Sequence, residues 1–131
     1  MPIDKEAKSL NMAWEQEYGY SQAVKVGDTI YISGQVSHDD EGNVLGDGDM
    51  EVQMRAAYAN VGKVLAQYGA SMENVVDEIL FVTEMDSAFD ARVKMKDEVF
   101  DGVPVVASTI VQIQSLAFPL LMIEIRCIAR V

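Results

Sequence analysis

The stretch that decides the fold is Ser21-Gln22-Ala23-Val24-Lys25-Val26-Gly27-Asp28-Thr29-Ile30-Tyr31-Ile32-Ser33-Gly34-Gln35. It consists of two β-rich runs joined by Gly27-Asp28, and a glycine at such a junction takes the positive φ that a tight turn needs. The stretch therefore predicts a β-hairpin, and we expect the dozen residues at the start of the chain to be loosely held.

Two helical patterns follow the hairpin. Asp49 can cap a helix that runs to Tyr68, because apolar residues recur there at three- and four-residue spacing before a glycine. The apolar, β-branched stretch 75–85 predicts a strand, and Asp86 begins the second helical pattern. Residues 37–51 hold six acidic and no basic residues, which predicts a solvated loop between the hairpin and the first helix.

Two further strands complete the chain. Residues 105–113 are apolar on both faces, so we expect an interior strand, whereas residues 121–131 alternate and predict a strand with one core face. The order β-β-α-β-α-β-β predicts an α+β, two-layer domain, with two helices on one face of a mixed sheet. Residues Val106, Ile110 and Met122 would lie on the other face, where no element covers them, so we expect a homo-oligomer.

Length and charge narrow the class of protein. A chain of 131 residues forms a single domain, spanning 1–131, and its 21 acidic and 10 basic residues leave a net charge of −11. This charge disfavours nucleic acid as a partner. The most apolar stretch, 116–125, is too short and too interrupted for a membrane span, and the first residues lack the pattern of a signal peptide. We therefore expect no membrane association and a cytoplasmic location.

The residues that most often bind metals or act as nucleophiles are scarce. The only histidine, His38, and the only cysteine, Cys127, lie in different segments, so we expect neither a metal site nor a Cys-His nucleophile. No glycine-rich nucleotide motif occurs, and we expect no cofactor. We interpret His38 as a solvent-exposed side chain without a catalytic role, and Cys127 as a buried, inert thiol.

The sequence leaves two interpretations of Glu124 open. Its neighbours are apolar, and partial burial at an interface would raise the pKa of the carboxyl group, so that it could exchange a proton near neutrality. Alternatively, Arg126, two residues along the same strand face, pairs with Glu124 and keeps it ionised. Spacing alone favours the structural ion pair.

The order and spacing of several short motifs resemble those of the reactive-intermediate deaminase family, also called Rid or YjgF. The resemblance extends from about Tyr20 to Ala129. The motifs that carry it are Tyr20-Ser21-Gln22-Ala23-Val24, Tyr31-Ile32-Ser33-Gly34-Gln35, the helix end 60–69, Asn74-Val75-Val76, Phe81-Val82-Thr83-Glu84-Met85 and Ile123-Glu124-Ile125.

The resemblance implies a chorismate-mutase-like α+β fold, a homotrimer, and small-molecule clefts between subunits. In the deaminase branch of this family, a glutamate in the last strand helps water to attack a 2-imino acid, and an arginine binds the substrate carboxylate. Glu124 matches the glutamate and is the implied catalytic residue. The positions that the resemblance assigns to substrate binding are Tyr20, Ser33, Gly34, Ala107 and Thr109.

The family's arginine is absent from this chain. Ala107 or, with a shifted gap, Val106 stands in its place, and no Lys, Arg or His occurs between Asp97 and Ile125. The strand therefore lacks the bidentate fork that binds a carboxylate, and standard 2-imino acids should bind poorly. The residues that could replace the arginine from a neighbouring chain are Arg55, Arg92 and Arg126.

Three hypotheses about function remain. The first is a trimeric, arginine-lacking Rid protein that hydrolyses neutral or cationic imines, or enamines, without the usual carboxylate. In the second, the cleft binds small metabolites without catalysis, and Glu124 only pairs with Arg126 or a neighbouring subunit. The third, an endoribonuclease, is disfavoured by the net charge of −11 and the lack of a basic patch.

Overall fold

A computed structural model of the chain describes residues 1–103 and 105–131. The described residues form one six-stranded sheet in the order β1-β2-β3-β6-β4-β5, in which only β4 and β5 are parallel. The α+β fold with a mixed sheet is therefore confirmed. The strands are β1 Glu6–Lys8, β2 Ala23–Val26, β3 Thr29–Val36, β4 Val75–Val82, β5 Ala107–Gln112 and β6 Ile123–Arg130, and the helices are α1 Ala13–Tyr18, α2 Met50–Ala66 and α3 Met85–Phe100.

The predicted hairpin is present as β2 and β3. Val26 pairs with Thr29 across the two-residue turn, and Gly27 has a φ of 57°. This left-handed conformation is strained for residues with a Cβ atom, which explains the glycine. The start of the chain is more ordered than expected, because β1 pairs with β2 and the Tyr68 hydroxyl donates a 2.7 Å hydrogen bond to the Glu6 carbonyl.

Side-chain caps set the starts of the two long helices. Asp49 accepts a hydrogen bond from the Val52 amide at 3.1 Å, which confirms the predicted cap of α2. Glu84 accepts hydrogen bonds from the amides of Asp86 and Ser87, so α3 begins at Met85, one residue before the predicted start. Since Glu84 serves as the cap, β4 ends at Val82 and does not reach residue 85.

The hydrophobic core lies between one face of the sheet, which we call the helix face, and helices α2 and α3. Full burial of each large aliphatic side chain stabilises such a core by about 1.5 to 3 kcal/mol. Cys127 belongs to this core, and burial raises the pKa of its thiol, as expected for an inert cysteine. Core residues from both layers include Ile30, Ile32, Met54, Val61, Leu65, Leu80, Met95, Ile123 and Ile125.

The prediction that β5 is an interior strand is wrong, because β5 lies at the edge of the sheet. The face assigned to Val106 and Ile110 is also wrong, since both line a cavity with Phe89 and Arg92 of α3 on the helix face. Met122 is partly buried against the core. Because both faces of β5 are apolar, its sequence periodicity could not indicate which of its residues face the helices.

The sheet nevertheless has an apolar open face, formed by residues other than those expected. In the strand registers, Phe81 lies opposite both Glu124 and Val111, and Tyr31 lies opposite Ile128. Tyr31 and Val111 are exposed. Helices α2 and α3 both pack on the other face of the sheet and do not cover the open face. Its large apolar side chains are Val24, Tyr31, Ile79, Phe81, Val111 and Ile128.

A buried carboxylate, Glu78, joins the helix face of the sheet to α2 and α3. It accepts hydrogen bonds from the Tyr58 hydroxyl at 2.7 Å, the Ser108 hydroxyl at 2.6 Å and the Arg92 Nε at 2.9 Å. A second guanidinium nitrogen of Arg92 lies 2.8 Å from Glu78. Every oxygen of this fully buried carboxylate therefore has a donor.

Among the described helices, none combines the length and hydropathy needed to cross a membrane.

Candidate functional site

A cavity of about 400 Å³, which we call the cleft, opens on the side of the sheet away from α2 and α3. The structure brings four of the six predicted site residues together in its lining: Tyr20, Ser33, Gly34 and Glu124. They come from three segments, namely the residues just after α1, strand β3 and strand β6. A volume of this size is suited to a small organic ligand.

Strand β3 is irregular where it enters the cleft. Its register with β6 shifts between Ile32 and Gln35, so Ser33 and Gly34 leave the regular ladder. A bulge of this kind redirects side chains and often lies next to a binding site. The bulge places Gly34 against the carboxyl group of Glu124.

Gly34 has no side chain because the Glu124 carboxyl group occupies that space. A Cβ atom added to Gly34 would lie 2.5 Å from the Glu124 carboxyl carbon and 2.6 Å from its Oε2. Carbon atoms in contact are normally about 3.5 to 4.0 Å apart. A larger residue at this position would therefore displace the carboxylate.

Glu124 is half-buried, and burial raises the pKa of its carboxyl group. Across residues 1–103 and 105–131, no hydrogen bond or ion pair reaches this carboxylate. The predicted pair with Arg126 is therefore absent from the single chain, and Arg126 is exposed. A carboxyl group whose pKa is raised, and which no cation binds, is a candidate for proton exchange with a ligand or water.

Buried polar side chains hold the bulge of β3 in place through hydrogen bonds. Gln35 Nε2 donates to Gln22 Oε1 at 2.7 Å and to the Ser33 carbonyl at 2.9 Å, and Gln22 Nε2 donates to Glu15 Oε2 at 3.1 Å. Glu15 also accepts two amide hydrogen bonds at the start of α1. This chain of hydrogen bonds fixes β3 against α1, and so fixes both walls of the cleft.

The interpretation of His38 as an exposed side chain is wrong. Only 6% of the residue is accessible, and it lines the cleft. Its Nδ1 lies 2.8 Å from the Asp39 carbonyl, and its ring packs edge-to-face on Trp14 with centroids 5.0 Å apart. The acidic composition of the neighbouring loop indicated solvent, but the Trp14 ring and the Asn60 hydrogen bond to the His38 carbonyl draw this residue inward.

Aromatic side chains form much of the cleft wall. Trp14 and Tyr18 lie one helical turn apart on α1, Tyr20 follows the helix, and Phe118 belongs to the segment before β6. The four-residue spacing of Trp14 and Tyr18 was the available sequence signal that both share one helix face. Burial raises the pKa of Tyr20, with further contributions from nearby Glu15 and Glu124, so its phenol keeps its proton.

The other two predicted binding residues, Ala107 and Thr109, are not part of this cleft. They lie exposed on β5, at the sheet edge, opposite Asp77 and Ile79 of β4. Of the arginines considered as replacements, Arg55 pairs with Glu51 and Glu98 on the helices, and Arg92 pairs with Glu78. Arg126 lies on the open face, opposite Ile79. No lysine or arginine among the described residues lines the cleft.

Comparison with known proteins identifies the family. A family profile described as Endoribonuclease L-PSP matches residues 11–131, which is most of the chain. The chain belongs to the Rid (YjgF) family. A RutC family protein of Escherichia coli, YjgH, is 32% identical over 116 residues, covering 88% of this chain and 85% of that protein.

Two further proteins are similar to this Rid chain. The crystal structure of Rv2704 from Mycobacterium tuberculosis, described as a YjgF/YER057c/UK114 family member, superposes with a TM-score of 0.84. It is 26% identical and covers 98% of this chain and 100% of its own. A mouse 2-iminobutanoate/2-iminopropanoate deaminase is 39% identical over 67 residues, about half of each chain. This second similarity covers only part of the fold.

The described residues contain no cluster of three or more His, Cys, Asp or Glu side chains that could hold a metal ion. The cleft lining offers carboxylate, imidazole, hydroxyl and aromatic groups.

Proposed function

We propose that this protein hydrolyses imines or enamines that lack the carboxylate of 2-imino acids, in a cleft completed by a neighbouring subunit. The observation that carries the proposal is the Glu124 carboxyl group, half-buried, without a donor, and held over Gly34. A carboxylate in this position would accept a proton from water as the water oxygen attacks the imine carbon. Glu124 would then return this proton to the nitrogen, the C–N bond would break as the amine leaves, and the C=N group would become C=O.

The charge of the cleft supports a substrate without a carboxylate. Glu124 is the only carboxylate in the lining, and no lysine or arginine faces it from the described residues. A substrate carboxylate would approach an unscreened negative charge in a partly desolvated space. The arginine fork that binds such a group in related deaminases has no counterpart at Ala107 or Val106.

The same proposal includes a homotrimer. The open face exposes Tyr31 and Val111, and Ala107 and Thr109 lie at the sheet edge, where a neighbouring chain could bring them to the mouth of a cleft. An apolar sheet face of this extent favours burial by another copy of the chain. The role assigned to Ala107 and Thr109 in substrate binding rests on this assembly.

The test compares two substrates generated in situ: an imine of a simple aldehyde and a 2-imino acid. We expect turnover of the first and at most slight turnover of the second. Glu124→Gln should lower turnover by about 10²- to 10⁴-fold, the range for loss of a general base. Light scattering on the same samples should give a trimer for the original protein and for the variant.

Three results would contradict the proposal. Efficient turnover of the 2-imino acid would mean that another cation replaces the missing arginine. Failure of the intact trimer to hydrolyse either substrate, with ligand binding retained, would support the alternative of a non-catalytic metabolite-binding protein. Loss of the trimer in Glu124→Gln would give this carboxylate a structural role instead.

A further inference from the structure

Several polar side-chain atoms in the cleft lining are hydrogen-bond acceptors. Two serine hydroxyls in its lining already use their protons: Ser33 Oγ donates to the Ser21 carbonyl, and Ser37 Oγ donates to the Leu45 carbonyl, both at 2.7 Å. The Ser33 oxygen then offers a ligand only lone pairs, whereas Ser37 is fully buried and its hydroxyl is not accessible to a ligand. The Glu124 carboxyl group, in its ionised form, is likewise an acceptor only.

His38 adds a further acceptor. Its Nδ1 lies 2.8 Å from the Asp39 carbonyl, which has no proton to give, so this contact requires a proton on Nδ1; in the tautomer whose only ring proton is there, Nε2 is an acceptor. No hydrogen bond reaches Nε2 from the described residues. Among the described residues, Ser87 Oγ is the one side-chain polar atom that is buried from solvent and has no hydrogen-bond partner. Since His38 Nε2 also has no partner and is not in this class, it is accessible. The space that His38 lines is the cleft.

The apolar part of the cleft complements a cation as well. The rings of Trp14, Tyr18, Tyr20 and Phe118 are in its lining. The face of an aromatic ring carries negative charge density and attracts a positively charged nitrogen, most strongly where water is excluded. Aromatic rings around a carboxylate are the arrangement by which proteins recognise organic ammonium groups.

We propose that the cleft selects ligands with a protonated nitrogen on an apolar group, an iminium or ammonium ion, with Glu124 and His38 Nε2 as the acceptors of its N–H groups. This inference rests on the proposed function and narrows its substrate class, because neutral imines and enamines present fewer donors to these acceptors. Trp14 holds the His38 ring, and thereby acts as a positioning residue for Nε2.

The test measures binding near neutral pH by calorimetry, with three probes of one size: benzylamine, benzyl alcohol and benzoate. Benzylamine is protonated under these conditions, benzyl alcohol is neutral and benzoate is negatively charged. We expect benzylamine to bind at least about 10-fold more tightly than benzyl alcohol. Benzoate should bind more weakly than either.

Three variants test the two acceptors. Glu124→Gln and His38→Phe should each weaken benzylamine binding several-fold while changing benzyl alcohol binding little. Glu17→Gln is the matched control for Glu124→Gln, since it removes the same charge from an exposed position on α1 that does not line the cleft. It should leave the preference for benzylamine unchanged. Thermal unfolding of each variant verifies that it is folded.

The inference is overturned if the folded protein does not bind benzylamine, binds it no better than benzyl alcohol, or prefers benzoate. It is also overturned if Glu17→Gln reduces the preference as much as Glu124→Gln, because the preference would then reflect net charge. The proposed hydrolysis is measured separately. Turnover of neutral imines without amine binding would defeat this inference alone, and amine binding without turnover would defeat the proposed hydrolysis alone.

Discussion

Two carboxylates on opposite faces of the same sheet have opposite surroundings. Glu78, on the helix face, is fully buried and receives hydrogen bonds from Tyr58, Arg92 and Ser108. Glu124, on the other face, is half-buried and receives none from the described residues. They lie on neighbouring strands, with Glu78 paired to Cys127 and Phe81 to Glu124.

This difference distinguishes a carboxylate that holds the fold together from one that is free to contact a ligand. The donors around Glu78 hold it in place, so it connects strand β4 to two helices. Glu124 keeps its full capacity as an acceptor and faces a cleft large enough for a small molecule. Burial alone does not make a carboxylate reactive; burial without a partner does.

The largest effect should come from removing the paired carboxylate. Glu78→Ala leaves the partly buried Arg92 guanidinium and the Tyr58 hydroxyl without their acceptor, and should cost about 3 to 5 kcal/mol of unfolding free energy. Urea unfolding measures this loss. Glu98→Ala, which breaks the exposed pair with Arg55, is the control and should cost far less. If Glu78→Ala and Glu98→Ala lose equal amounts of unfolding free energy, the buried hydrogen bonds of Glu78 are not specially stabilising, and the contrast between Glu78 and Glu124 no longer holds.

An intermediate effect should come from Gly34→Ala, and on function more than on stability. The new methyl group would displace the carboxyl end of Glu124, which is flexible enough to move, so stability should change by less than about 1 kcal/mol. Turnover should nevertheless fall by about 10²-fold, because a misplaced base loses its contact with the attacking water.

Gly62→Ala is the matched control for Gly34→Ala. Gly62 lies within α2, where an added Cβ atom meets nothing within 4 Å. Its replacement should stabilise the protein by about 0.5 to 1 kcal/mol and leave turnover unchanged. Full activity in Gly34→Ala would show that the position of the Glu124 carboxylate does not matter for the reaction.

The smallest effect concerns pH. The pKa of Glu124 is higher in the folded state than in the unfolded state. Glu124 therefore contributes to the free energy of unfolding at pH values below the ordinary carboxyl range. That contribution is lost as pH rises through the folded-state pKa. Glu124→Gln should therefore raise the midpoint of thermal unfolding by a few degrees at neutral pH and leave it unchanged in acid. Turnover by the unaltered protein should fall on the acidic side, as Glu124 becomes protonated.

This pH comparison uses the difference between the two proteins at each pH, because other carboxylates titrate too. Hydrogen bonds from Leu10, Met12 and Gln22 help to lower the pKa of Glu15, for example, and its contribution to stability is lost as pH falls. If the variant is less stable than the original protein at neutral pH, Glu124 has a favourable partner, and the comparison with Glu78 no longer holds.

The expected elements and their order were largely confirmed because their signals are local. The turn at Gly27 and the cap at Asp49 each depend on a few adjacent residues. The start of α3 was predicted one residue late, since Glu84 caps the helix in place of ending a strand. The strand β1 was missed because three residues at an edge carry too little pattern.

The errors occurred where distant segments decide the environment. His38 lies next to an acidic loop and resembles a surface residue, yet Trp14, 24 positions earlier, covers its ring. Val106 and Ile110 belong to a strand that is apolar on both sides, so alternation could not indicate which side meets α3. The pair of Glu124 and Arg126 was favoured by spacing, but the two side chains do not meet in the single chain.

The sequence by itself determined the order of the elements, the hairpin, the helix cap at Asp49 and the candidate role of Glu124, because these follow from short-range periodicity, turn chemistry and matched motifs. Only the tertiary structure decided that Gly34 makes room for the Glu124 carboxylate, that Glu78 is paired, and that His38 lines the cleft. Those facts depend on how strands and loops far apart in the chain come together, and no local pattern encodes which partner each side chain meets.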